Sequence, residues 1–247
     1  MGVWRAGRWT PCPYEAALPH DARRDQCESC AALDRSSSVA ADTRVDDPRP
    51  YAVYLASFGP GLHKVGITAV ARGTARLLEQ AAVCFTFLGE GPLMTARRTE
   101  AVLGAALGIR DRVPDSAKRA ARHTLPEAPH RADELRRLYD DVTAVRDRLP
   151  DSLRLRSFHA VDHGALFGLP AAPPTAGITA LAPGRTLAGT VRVVAGHDVQ
   201  VETAGGVLLL DTRLTAGWPL RKGPADAVSD VPSAPLGRPA EAPEPLF

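Results

Sequence analysis

Residues 51–68 constrain the fold more than any other stretch of the chain. Tyr51 to Phe58 (YAVYLASF) is dense in aromatic and β-branched side chains, the content of a strand. Gly59-Pro60-Gly61 is a strong turn signal, and HKVGIT (63–68) resumes strand content. The stretch is expected to form a β-hairpin, and a hairpin needs further elements to bury its apolar face. Those elements follow in order. Thr74 to Gln80 sets Leu77 and Leu78 between charges and suits a short helix. Residues 82–89 (AVCFTFLG) read as a third strand, and Gly89-Glu90-Gly91-Pro92 turns the chain. Residues 93–107 place Leu93, Ala96, Val102, Leu103, Ala106 and Leu107 near one helical face. The expected class is α+β, with a β-β-α-β-α core at about 51–110.

The flanks divide by composition. Residues 1–50 lack apolar periodicity and carry three cysteines, and Ser36 to Pro50 reads as a linker. Pro114 interrupts the pattern after the core. Leu135, Leu138, Tyr139, Val142 and Val145 then form an amphipathic stripe on a helix expected over 131–148. This helical extension completes a unit at 51–150. Residues 151–222 are expected to form a small antiparallel β module, with three strands inside 187–214 turning at Ala195-Gly196-His197 and Ala204-Gly205-Gly206. The tail, 223–247, holds six prolines and is expected to be disordered.

Charge excludes some function classes. Lys+Arg is 30 against 28 Asp+Glu, so no global imbalance announces a nucleic-acid or membrane partner. All but three of the 30 basic residues are arginine, which we read as coding bias. The Arg-rich stretch 110–156 also carries many acids and reads as a solvated helical face. No apolar run is long enough for a membrane span. The first residues lack the apolar stretch of a secretory signal, so a cytoplasmic location is expected.

In a reducing compartment the four cysteines are not expected to form disulfides. Cys27-x-x-Cys30 offers one corner of a tetrahedral zinc site. Cys12 begins the other corner, and His20 is the nearby candidate for a fourth ligand. Free reduced thiols and a redox pair are the other readings, though no strand-to-helix context follows the CxxC. Cys84 sits in an apolar strand and reads as a small buried hydrophobe. His159 and His163 stand four apart with Asp162 between them, a weak metal or acid–base signal that needs a helix.

The hairpin residues carry a resemblance. Ala52-Val53-Tyr54, then Lys64-Val65-Gly66-Ile67-Thr68, then Arg76 and Glu100 resemble the pattern of the GIY-YIG nuclease superfamily. They are closer still to an uncharacterised bacterial family with a GIY-YIG-like core. Val53-Tyr54-Leu55-Ala56, the Lys-Val-Gly-Ile-Thr block and Arg76-Leu77-Leu78-Glu79-Gln80-Ala81-Ala82 carry that likeness, with the N-terminal cysteines and a Gly-Thr-Val strand module. It spans about residues 10–220.

The resemblance implies metal-dependent phosphodiester hydrolysis on DNA or RNA. Tyr54, Lys64, Arg76 and Glu100 would be catalytic, with His63 and Thr68 at the substrate. Glu100 would hold Mg²⁺ or Mn²⁺, Arg76 would clamp the phosphate, and Tyr54 would orient or deprotonate the water. Zn²⁺ on Cys12, His20, Cys27 and Cys30 would be structural. The chain has Ala52 where the pattern has its first Gly, and Lys64 where it has its second Tyr. Lys64 would then act as a point charge, or as a base if burial lowers its pKa. Two other classes stand beside this one. They are a non-catalytic nucleic-acid-binding adaptor and a small-molecule enzyme in the same groove.

Overall fold

The computed structural model describes residues 2–5, 8–19, 21–36, 47–224 and 226–236. In chain order the strands and helices begin with β1 (Gly2–Arg5), β2 (Arg8–Pro11) and α1 (Glu28–Ser36). The core follows as β3 (Tyr51–Ser57), β4 (His63–Ala69), α2 (Ala75–Glu79), β5 (Cys84–Gly91) and α3 (Leu93–Leu107). Then come α4 (Asp115–Ala121), α5 (Ala128–Ala144), β6 (Arg154–Leu155), β7 (Val161–Asp162) and α6 (Gly164–Phe167). The last strands are β8 (Ala176–Ile178), β9 (Thr190–Ala195), β10 (Asp198–Thr203), β11 (Gly206–Asp211) and β12 (Ser233–Pro235). The fold is mixed α+β, with six α-helices among the described residues.

The core sheet runs β4-β3-β5-β6, with β7 also on β5. β3 pairs antiparallel with both β4 and β5, and all seven of its residues are buried. That burial follows from its position: a central strand covered on both faces can be apolar throughout. On one face Tyr51, Val53, Leu55, Val65 and Leu88 pack under α3 and α5 through Leu93, Ala96, Leu103, Leu135 and Val142. On the other face Tyr54, Ala56 and Phe85 pack with Leu77 of α2 and Ala117 of α4. Leu88 is an extra residue in β5, because Val53 pairs with Gly89 while Tyr54 pairs with Phe87. The outer edge of β4 is not bare. Val65 donates its N–H to the Arg110 carbonyl at 3.1 Å, which pins the stretch after α3 beside Lys64.

The second large sheet runs β12-β8-β11-β10-β9. Val193 and Ala195 pack with Ala81, Val83, Phe167 and Leu169, so this sheet leans on the corner that leads into β5. Ion pairs reinforce the contact. Arg119 donates to Asp198 at 2.6 and 2.9 Å, and Arg122 donates to the same carboxylate at 2.6 Å. Asp198 and Arg122 are both buried.

Several expectations need correction. The 150/151 boundary fails, because β6 and β7 lie beyond it yet pair with β5 in the core sheet. They satisfy the second edge of β5. The tail is not wholly without structure: Ser233–Pro235 pairs with β8 and closes that edge. Residues 237–247 lie outside the described residues, as do 37–46 of the expected linker. The helix expected over 131–148 begins earlier, at Ala128, with Pro129 in its first turn. It stops at Ala144, and a 3₁₀ turn spans Arg146–Arg148. No helix among the described residues is long and apolar enough to cross a membrane.

The ion-pair contact makes a prediction. Asp198→Ala leaves the buried Arg122 guanidinium without its carboxylate and should cost about 3 kcal/mol, a loss typical of breaking one side of a buried pair. Urea denaturation measures it, and a loss below about 1 kcal/mol, the range of an exposed pair, would contradict the buried role.

Candidate functional site

Two places in the molecule gather chemistry. The first lies at the N-terminus. β1 and β2 form an antiparallel hairpin, and α1 packs against it. Cys12 follows β2, Cys27 precedes α1 and Cys30 lies in its first turn. Their sulfurs all lie within 4.8 Å of one another, with Cys12 Sγ 3.7 Å from Cys27 Sγ. Three thiolates on one tetrahedral zinc, at Zn–S of about 2.3 Å, would stand about 3.8 Å apart. The cluster can therefore hold a metal ion such as zinc.

Its electrostatics point the same way. The Ala16 and Tyr14 backbone N–H groups draw the Cys12 thiol down to about 7. Burial, followed by the two neighbouring sulfurs, pushes Cys30 up to about 11. The two neighbouring sulfurs thus favour the Cys12 thiolate and oppose that of Cys30, and a bound dication would offset the opposition at Cys30. The expected fourth ligand, His20, lies outside the described residues.

The second place is the face of the β3–β4 hairpin that carries Tyr54, covered in part by α2 and α4. Strand alternation sends Lys64, Gly66 and Thr68 to the face that carries Tyr54, since these residues pair with Ala56, Tyr54 and Ala52. The Tyr54 ring lies across Gly66, where a Cβ would come 2.4 Å from the phenol oxygen. The Tyr54 hydroxyl is thereby held beneath α2. There the Gln80 carboxamide oxygen, oriented toward the donors that surround it, accepts from Tyr54 Oη at 3.2 Å and from Arg76 Nε at 2.7 Å. Burial raises the Tyr54 phenol above its usual range, and Arg76 opposes that shift.

Lys64 and Glu100 are half-buried beside this group. Burial lowers the Lys64 amine, Arg76 and Lys118 lower it further, and Glu100 and Asp111 oppose them. Burial raises the Glu100 carboxyl, Lys64 opposes that shift, and Asp111 adds to it. Lys64 is thus in electrostatic reach of both Arg76 and Glu100, and Tyr54 is in reach of the same pair. Glu100 and Asp111 also line an open groove of about 440 Å³ with Arg97, Arg110 and Arg112.

Not every expected residue joins. His63 points to the opposite face, one position out of phase with Lys64, and its Nε2 lies 3.2 Å from Glu134 of α5. Thr68 shares the Tyr54 face but is buried, and its hydroxyl has no hydrogen-bond partner among the described residues. Tyr54 itself is only 1% exposed. Its hydroxyl therefore reaches solvent only if the cover of Arg76 and Gln80 moves. His159 and His163 do not pair. His159 is exposed, whereas the His163 ring is buried between Phe85 and Phe167, with Nδ1 3.1 Å from the Ala82 carbonyl. Cys84 is fully buried, and burial pushes its thiol up to about 12.

Sequence reasoning gave no role to Gln80, Asp111 or Lys118. One signal was available for the last. The chain has three lysines among 30 basic residues, and two of them, Lys64 and Lys118, lie in electrostatic reach of each other here.

A mixed α+β protein with a three-cysteine cluster and a half-buried charged hairpin face is the class these features define. Residues 3–220 match the family described as Protein of unknown function (DUF2797), and the chain belongs to that family. No curated protein and no solved structure matches it.

Two predictions follow from this geometry. Purified protein should carry about one zinc per chain, and Cys27→Ser should lower that content and loosen the N-terminal element while the core stays folded. Metal analysis with amide hydrogen exchange reads both effects, and metal-free protein of unchanged stability would reject the centre. Gly66→Ala should cost about 1–3 kcal/mol through overpacking against Tyr54. Denaturant titration checks this, and a neutral result would show that the ring has room to move.

Proposed function

We propose that this hairpin face processes phosphodiesters, and that the chain is a metal-dependent nucleic-acid phosphodiesterase of GIY-YIG-like kind. The observation that supports it best is that Lys64 and Tyr54 are each in electrostatic reach of Arg76 and Glu100, and that Glu100 lines an open groove with Arg97, Arg110 and Arg112. The β-β-α-β-α order from Tyr51 to Leu107 is also the order that the resemblance implies.

In this reading the Arg76 guanidinium, half-exposed, grips non-bridging phosphate oxygens. Lys64 accepts the proton of the attacking water as the water oxygen bonds to phosphorus and the bond to the leaving oxygen breaks. Burial suits Lys64 to this by favouring the neutral amine. Glu100 and Asp111 are hard oxygen donors on one groove, the type that Mg²⁺ or Mn²⁺ takes. Such an ion, when bound, supplies charge neutralisation at the phosphate and the leaving oxygen. Tyr54 holds the floor of the site and donates its proton to Gln80 rather than to substrate.

The burial of Tyr54 favours one second reading, an adaptor that binds nucleic acid on these cations without cutting it.

Labelled DNA and RNA, incubated with Mg²⁺ or Mn²⁺, separate the two. Wild type should cut, and Glu100→Ala should lose about 100-fold or more in turnover, the scale of losing one charge-stabilising group. Its binding should change far less, because the arginines still hold the backbone. The rate should rise with pH through a value below the ordinary lysine pKa of about 10.4, and Lys64→Arg should abolish that limb. Binding without cleavage under every divalent ion would establish the adaptor. Neither binding nor cleavage would reject both readings.

A further inference from the structure

We infer that Gln80 is a positioning residue, which aligns the Arg76 guanidinium on the floor formed by Tyr54 and is itself held by Lys118 and the C-terminal β module. The inference rests on reading Arg76 as the phosphate clamp.

Donor chemistry fixes what Gln80 does. Arginine offers only donors, and the Tyr54 hydroxyl meets the same acceptor. The Gln80 carboxamide oxygen accepts from Arg76 Nε at 2.7 Å, from Arg76 Nη2 at 3.3 Å and from Tyr54 Oη at 3.2 Å. Arg76 and Gln80 are four residues apart at the end of α2, the spacing at which helical side chains meet. Arg76 Nη1 lies 3.5 Å from the exposed Glu79 carboxylate, a weaker and solvated contact. The guanidinium plane is therefore set mainly by Gln80. A flexible arginine would lose rotamer freedom on gripping a phosphate, and one already aligned avoids that loss.

The choice of amide over acid matters. A carboxylate at position 80 would orient Arg76 equally well but would cancel its charge. A carboxamide orients the guanidinium and leaves that charge for an anion.

The corner that carries Gln80 is held from several sides. Lys118, nine-tenths buried, donates from Nζ to the Gln80 carbonyl at 3.2 Å, with Nζ 4.7 Å from the centre of the Phe58 ring. The next residue, Ala81, has φ +58°, a left-handed conformation that alanine rarely takes without support. The β9–β10 turn supplies it. A Cβ at Gly196 would stand 2.9 Å from the Glu79 carbonyl oxygen, so the turn backbone presses directly on this corner. Ala81 also packs with Val193 and Ala195 of the module. This gives the module a role in the site although none of its residues lies there.

The experiment measures alignment without relying on activity. In isotope-labelled full-length protein, NMR exchange of the Arg76 Nε–H proton with water reports its hydrogen bond. It should be protected in wild type. Gln80→Leu, which keeps bulk and loses the acceptor, should speed exchange about tenfold, the value of one hydrogen bond. Gln80→Glu should restore protection yet weaken binding of a labelled single-stranded oligonucleotide. Lys118→Met should speed exchange with the Gln80 side chain intact, and it stands in for Gln80→Leu should that variant fail to fold. Unprotected Arg76 in wild type, or exchange unchanged by both Gln80→Leu and Lys118→Met, would overturn the inference. If exchange follows this pattern while wild type neither binds nor cuts nucleic acid, the positioning role stands and the phosphodiesterase reading falls.

Discussion

The contact between the Tyr54 ring and Gly66 sets the rest of the site. A side chain at Gly66 would meet the phenol, so glycine alone lets the ring lie flat across the hairpin. With the ring there, the hydroxyl emerges beneath α2 rather than at the sheet surface, and Gln80 and Arg76 close over it. The same contact helps seal the second face of β3, whose burial on both faces makes it the centre of the core sheet. The Lys-Val-Gly-Ile-Thr block therefore serves two ends. Its glycine admits the tyrosine, and its lysine, two positions earlier on the same face, stands at the rim.

Charge placement follows from that packing. The pinning of Val65 to Arg110 draws the stretch after α3 along the β4 edge, which brings Asp111 into reach of Lys64 and Glu100. Half-buried Lys64 and Glu100 then stand in electrostatic reach of each other, and Glu100 shares an open groove with exposed Arg110, Asp111 and Arg112. Half-burial strengthens their interactions relative to water, while exposure leaves the groove open to a charged ligand. The cysteine cluster obeys the same logic at the other end of the chain. Three sulfurs are held within reach of one ion, and a bound cation would favour their thiolate forms together.

Much of the core was legible because its signals are local. Aromatic and β-branched content and Gly59-Pro60-Gly61 specify the hairpin, and α3 runs from Leu93 to Leu107 as its stripe predicts, closed by Gly108 at φ +63°. β6 and β7 escaped because two-residue strands have no period and exist only to satisfy the edge of β5. Ser233–Pro235 escaped because proline content argues for disorder, whereas the open edge of β8 is a tertiary fact. Within the site, Tyr54 and Lys64 were readable from the resemblance, and strand phase in the structure puts them on one face. The same phase places His63 on the opposite face, and a resemblance by motif does not weigh it. Gln80 had no readable role, because its task depends on a corner built by Lys118 and Gly196, which lie far along the chain.

We propose that an anionic polymer binds at the rim of the Tyr54 face, where Lys64 and Arg76 stand. Mapping amide shifts while a short phosphorothioate oligonucleotide is titrated into labelled protein tests it directly. The account predicts that the largest changes fall together on Lys64 to Gly66, Arg76 to Gln80 and Arg97 to Arg112, and that they fade as salt rises. Changes centred on α1, on the β8–β12 sheet or on the solvent face of α5, with the hairpin silent, would contradict it.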